Sequence, residues 1–186
     1  MEIAAAQRDV RYVYRGGFFG QLVSAFLWIT SAAFATWGTP RRRQILTLVL
    51  GGVLIFPSTS LMLRATGARA SLGAGHPMNQ LAIQVAFTLP LTLPLVGAAT
   101  LYERNWFYPA FMVVLGAHYL PFIFLYGMRM SPGLAAVLIG AGVGLALRGP
   151  DIFHPGAWIT GAVLVLAAFL GRATVTAEQS RTAGNA

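Results

Sequence analysis

The 186-residue chain contains no cysteine and, among its 13 basic residues, no lysine. Without cysteine there is no disulfide, no thiolate metal site and no cysteine nucleophile. Charge of either sign is scarce at 10% of residues, against roughly a quarter in a typical globular domain. The five acidic residues, Glu2, Asp9, Glu103, Asp151 and Glu178, all fall in loops or tails. No carboxylate is therefore expected at depth to hold magnesium or zinc, to pair with a catalytic histidine, or to couple transport to protons or sodium. This argues against a membrane-embedded enzyme, and "FPSTS" supplies hydroxyls without a nucleophile-elbow context.

What is present is apolar: 56% of residues are hydrophobic. Six apolar segments read as spans, at 16–37, 40–63, 77–101, 107–126, 132–147 and 155–170, followed by a polar tail at 172–186. A bilayer-spanning helix needs about 20 residues. Barrel strands would be about ten residues long and would alternate polar with apolar. The predicted fold is all-α, a single integral membrane domain of six transmembrane helices. Pro40, Pro77, Pro132 and Pro155 stand at or just before the start of four segments, as suits a residue whose missing N–H would have had no helical partner there. "SAAFA" resembles a signal-peptidase site, but the uncharged run 16–37 is long enough to be retained as the first span.

Six spans place both termini on one side, with Arg8, Arg11, Arg15, Arg64, Arg69, Arg129, Arg172 and Arg181; Arg41, Arg42, Arg43, Arg104 and Arg148 lie on the other. The positive-inside rule then favours cytoplasmic termini, although the "RRR" run pulls the other way. The net charge of +8 sits between apolar runs, where it suits anionic headgroups rather than nucleic acid. The all-arginine usage with abundant alanine and glycine suggests a bacterial origin, hence a bacterial cytoplasmic membrane, with membrane lipids as the immediate partners.

Lipid would leave amides and hydroxyls unpaired, so polar groups within spans are expected to face one another. Gln21, Ser24, Trp28 and Ser31 form one stripe on the first span; Asn79, Gln80, Gln84 and Thr88 form a second on the third; Ser58, Thr59 and Ser60 follow Pro57 in the second. The expected pocket between helices 1–4 is lined by Gln21, Ser24, Ser58, Gln80, Gln84 and His118. Prolines 57, 90, 94 and 121 lie within spans and are expected to free the carbonyls of Val53, Ala86, Pro90 and Ala117, which makes spans two to four candidates for kinks. His118 then sits beside the Ala117 carbonyl near mid-depth, either as a working group or as a neutral ring that ties helices together.

In the loop "RATGARASLGAGHPMN", Arg64 and Arg69 are a candidate basic mouth for an anionic solute or headgroup, or plain interfacial anchors. His76 and His154 precede prolines on opposite sides, where capping is their expected role. They cannot join His118 in one coordination sphere, and no metal or other cofactor is expected. Gly140 and Gly144 have G-x-x-x-G spacing, suited to close packing inside the bundle or to a homodimer.

The stretches "GGFFGQLVSAFLWITSAAF", "LIFPSTSLMLR" and "FYPAFMVVLGAHYLPFIFLYGMR" resemble an uncharacterised bacterial family of small six-helix membrane proteins, a domain of unknown function. The likeness runs from about Gly16 through the fifth span. Its fourth-span pattern G-A-H-x-L-P falls here on Gly116, Ala117, His118, Leu120 and Pro121. The resemblance implies a six-helix inner-membrane protein and brings no activity. From the residues alone, the expected role is non-enzymatic: binding or passing a small solute or lipid, or serving as a structural subunit of a larger membrane complex.

Overall fold

A computed structural model describes residues 2–184, all of whose regular structure is helical. Among them, six helices are long and apolar enough to cross a membrane. In chain order the helices are α1 (Ile3–Val13), α2 (Phe18–Thr36), α3 (Arg41–Ala65), α4 (Asn79–Tyr102), α5 (Phe107–Tyr119), α6 (Phe122–Tyr126), α7 (Met130–Arg148) and α8 (Pro155–Gly184). The four start prolines take four distinct places: Pro155 is the first residue of α8, Pro40 caps α3, Pro77 lies two before α4, and Pro132 is the third residue of α7.

The helices pack in a fixed order around the bundle. α3 lies on α2, α2 on α8, α8 on α7, α7 on α5, and α5 on α4. α3 and α4, at the two ends of that order, share no extended interface. Their outer faces carry exposed Leu50, Val53, Leu54, Ile83, Phe87 and Leu91, a surface that suits acyl chains. The core lies between α2, α5, α7 and α8, where Trp28 meets the Phe111 ring edge-on at 5.1 Å and Tyr108, Met112, Leu138 and Leu164 are fully buried.

Missing side chains make the closest helix approaches. A Cβ on Gly116 would stand 2.6 Å from Ile139 Cγ1 and 2.9 Å from the Ala135 carbonyl; one on Gly142 would stand 2.7 Å from the Pro109 carbonyl. α5 and α7 therefore meet backbone to backbone, as small residues permit in membranes. Gly140 and Gly144 take no part in this: they face outward, with no described atom within 4 Å of the Cβ positions. Packing inside the bundle, one of the two uses expected of the G-x-x-x-G pair, falls to Gly142 and Gly116 instead.

Two elements depart from the sequence reading. The segment 172–184, expected as a polar tail, continues α8, whose 30 residues measure about 45 Å against a hydrocarbon core of about 30 Å. Its last turns thus stand beyond the membrane. They are held there by α1, an amphipathic helix whose Ala6 and Val10 are buried. α1 turns into α2 through Gly16 and Gly17, both at positive φ (68° and 82°), and a Cβ on Gly16 would lie 2.8 Å from the Gly171 carbonyl. Glycine is needed there for both conformation and approach.

Of the internal prolines, only Pro121 interrupts its helix. α3 runs on through Pro57 and α4 through Pro90 and Pro94. At Pro121 the span divides into α5 and α6. The Ala117 carbonyl is not left free, as expected from its i+4 partner being proline: it accepts the Leu120 N–H at 3.1 Å, a tighter i+3 bond.

Candidate functional site

The gap between α3 and α4 holds a cleft of about 250 Å³ on the α1 side of the bundle. α2 and α5 form its floor, and its walls come from Ile55, Thr59 and Leu63 on α3 and Ala82, Val85, Ala86 and Leu89 on α4. Small residues open the space. Gly17 and Gly20 give the α2 surface little bulk, and even a Cβ on Gly20 would only touch Thr59 at 3.7 Å. The aromatic end is built by Tyr119, Phe122 and Tyr126, with Phe122 stacked on Tyr126 at 5.4 Å and edge-on to His118 at 5.2 Å.

Three polar atoms from three different helices reach this cleft buried and without a hydrogen-bond partner among the described residues. They are Gln21 Oε1 on α2, Thr59 Oγ1 on α3 and His118 Nδ1 on α5. Buried polar atoms are normally paired, and one left unpaired costs about 1–3 kcal/mol. Elsewhere in the same span the rule is kept. Ser31 Oγ donates to the Gln44 carbonyl at 2.9 Å and lies 2.7 Å from the Tyr108 hydroxyl. Gln44 Oε1, at that same end, is unpartnered too, but the cleft is lined by three such residues from three helices.

The chain matches the family described as of unknown function, DUF7010, over residues 3–173. It belongs to that family. No curated protein and no solved structure matches. For this DUF7010 member the matched region contains all eight helices in whole or in part, with α1 and α8 beyond the limits of the resemblance read from the sequence.

The residues expected in the pocket take different places. Gln21, Ser24 and His118 come together in the cleft, and the α2 stripe Gln21, Ser24, Trp28, Ser31 is buried throughout. Three expected residues stand elsewhere. Gln80 and Gln84 are exposed, on the same outer face of α4 as Phe87 and Leu91, because α4 turns Ala82, Val85, Ala86 and Leu89 inward. Gln80 is the second residue of α4 and Gln84 lies about 6 Å further in, so both amides remain within reach of the headgroup layer. Ser58 lies outside the lining as well; Ile55, Thr59 and Leu63, spaced by four, define the inward face of α3, and Ser58 is turned about 100° from Thr59. Thr59 and Ser60, read from the sequence beside Ser58 but not placed in the expected lining, do line the cleft, and the i±4 apolar neighbours of Thr59 were the available signal.

The basic mouth is also redrawn. Arg64 is exposed in the last turn of α3, near that helix's terminal carbonyls. Arg69 lines a separate basin of about 720 Å³ outside the α1 end of α2, shared with Arg15 and Arg172. His76 accepts the Met78 N–H on Nδ1 at 3.2 Å, a turn contact just before α4 rather than a cap on its first-turn amides, and it lines the same basin. His154 lies on the opposite side, just before α8.

Proposed function

We propose that this protein binds a small amphipathic molecule, a lipid or a lipid-like solute, in the cleft between α3 and α4, entering sideways from the bilayer. The carrying observation is the set of three unpartnered polar atoms, Gln21 Oε1, Thr59 Oγ1 and His118 Nδ1, inside otherwise apolar walls. A ligand with an apolar body and one neutral hydrogen-bonding group supplies what each surface lacks. The lining contains no charged side chain, so the bound group is a hydroxyl, amide or ester rather than an ion. The role is non-enzymatic, since the lining also brings no nucleophile paired with a base. We place the protein in a bacterial cytoplasmic membrane with α1 on the cytoplasmic side, where eight of its 13 arginines gather.

The test is photo-crosslinking of the protein in nanodiscs with a diazirine-bearing monoacylglycerol. Labelling is expected at Leu63, Val85 and Leu89, and its loss in Gln21→Leu or His118→Phe at unchanged melting temperature supports the cleft. Labelling spread evenly over the outer faces of α3 and α4 discards it.

A second reading, an accessory subunit of a larger membrane complex or a homodimer, is favoured by one observation. Gly133, Gly140 and Gly144 lie on one outer stripe of α7 with no described atom within 4 Å of the Cβ positions, which is the surface a further span would pack on. Mild-detergent purification separates the readings. Retained lipid on a lone chain favours the cleft, and co-purification with another span, lost in Gly140→Leu, favours the subunit.

A further inference from the structure

The basin outside the membrane, formed by α1, the loop after α3 and the end of α8, shares no lining residue with the cleft. Ala68 lines the basin and Ala70 the cleft, and both pack on the cluster of Phe18, Phe19 and Leu63. Its lining gathers Arg15, Arg69 and Arg172, which are 54 to 157 positions apart where the chain returns to this side, against a single carboxylate, Asp9.

Two of the three guanidiniums are placed by their surroundings. Arg15 Nη2 donates to the Thr66 carbonyl at 3.3 Å, and the Arg172 guanidinium stands over the Phe18 ring at 4.7 Å. Both contacts leave most of the N–H donors of each group unused, since a guanidinium carries five.

Two further lining residues, His76 and Tyr12, each carry a buried donor with no hydrogen bond among the described residues. The His76 side chain is only 10% exposed. Because Nδ1 accepts the Met78 N–H, the proton of the neutral ring is on Nε2. Nε2 is buried and makes no hydrogen bond among the described residues; Asp9 Oδ2 stands 3.6 Å away, within ion-pair reach of a protonated ring but too far for a hydrogen bond. The Tyr12 hydroxyl is likewise buried and unpartnered. Surface arginines alone would be explained as headgroup anchors. A buried imidazole N–H and a buried phenol left unpaired among three guanidiniums are not.

The geometry points to a binding site for a phosphate ester, in which Arg15, Arg69 and Arg172 supply the counter-charge and His76 Nε2 and the Tyr12 hydroxyl donate to the phosphate oxygens. Donors that converge from three segments match a tetrahedral oxyanion, whose three or more oxygens accept from several directions, better than a planar carboxylate. A space of about 720 Å³ is too large for inorganic phosphate alone, so the phosphate is carried on an organic body. Asp9 is set to accept from a hydroxyl on that body. The basin stands beside the headgroup layer, so the ester is either a phospholipid headgroup or a soluble phosphate.

The experiment uses the full chain. In detergent, titration calorimetry measures glycerol 3-phosphate; in nanodiscs, native mass spectrometry measures phosphatidylglycerol retained over phosphatidylcholine. Binding of the first identifies a soluble source, and selective retention of the second alone a headgroup. In either arm, Arg69→Glu and Arg172→Gln are expected to weaken association at least tenfold, while Arg148→Gln, on the far side, leaves it within twofold. Failure of both probes to bind wild type, or affinities in the two basin variants within twofold of wild type, overturns the proposal. Should a variant fold poorly, wild type labelled with 15N-histidine decides: one of three imidazole Nε2 signals moves on addition of the bound probe, and no movement overturns the site. Neither result bears on the cleft, whose ligand carries no charge.

Discussion

Arg11 on α1 and Glu178 on α8 form a two-pronged ion pair across 167 positions of sequence, with Nη2 to Oε1 at 2.6 Å and Nε to Oε2 at 2.9 Å. The same guanidinium donates through Nη1 to the Tyr126 carbonyl at 2.6 Å, while Gln7 Nε2 donates to the Phe124 carbonyl at 2.7 Å. These are among the last carbonyls of α6, a five-residue helix whose terminal acceptors have no partner within the helix. One face of α1 thus finishes a helix that Pro121 cut short.

Glu178→Gln is expected to lower the melting temperature of the detergent-solubilised protein by an amount equivalent to about 1 kcal/mol, the modest value of a partly exposed pair. The hydrogen bonds from Arg11 hold the Glu178 carboxyl below its ordinary value of 4.5. A depressed carboxyl stabilises the fold above its unfolded pKa and ceases to do so as pH falls through its folded pKa. The difference between wild type and Glu178→Gln should therefore be constant from pH 7 to 5 and close below pH 4.5. Melts at half-unit intervals check it.

Arg11→Ala should cost more than Glu178→Gln, by about 1 kcal/mol, because it also strips the Tyr126 carbonyl of its donor. A double variant no worse than Arg11→Ala alone would identify the shared contact.

Gly116→Ala forces α5 and α7 apart at a point where Ile139 and the Ala135 carbonyl leave no room, and overpacking of this kind costs about 1–3 kcal/mol. Gly140→Ala, one helix over on the outer face, meets nothing among the described residues and should not destabilise the isolated chain. Melting the two variants side by side in detergent checks the contrast.

Ser31→Ala strips the Gln44 carbonyl of the Ser31 hydroxyl and leaves the Tyr108 hydroxyl only the longer bond to the Ser31 main-chain carbonyl at 3.4 Å, at the closed end of the bundle. Tyr108→Phe leaves Ser31 still donating to Gln44. The first should therefore cost about 1–2 kcal/mol and the second about 0.5, measured by thermal unfolding at fixed detergent concentration.

The six spans were legible because apolar length and proline punctuation survive any rotation of a helix about its axis. Which way each span faces was legible only where the polar stripe was also the crowded one. On α2, Gln21 and Ser24 share a face with Trp28, a side chain too large to be anywhere but the core, and all three are buried. On α4, Gln80 and Gln84 share a face with Phe87, and the rule that polar groups turn inward was outweighed by the ability of residues near a helix end to reach the headgroups. α1 and the end of α8 escaped notice because each alone is too polar to read as a span; the ion pairs of Arg8 and Arg11 with Glu178 that join them span nearly the whole sequence. The basin was out of reach for a related reason. Tyr12, Arg15, His76 and Arg172 come from three returns of the chain to one side, and no spacing in the sequence records that meeting.

The bond between Arg11 and Glu178 also orders events in time. Arg11 leaves the ribosome before any span does, and its acceptor follows 167 residues later, after the last span has been made. Until then the α6 carbonyls can be capped but the anchor of α8 cannot be set. The extramembrane end of this bundle is accordingly the last part to close during biogenesis, and it stays open to whatever meets the nascent chain on that side.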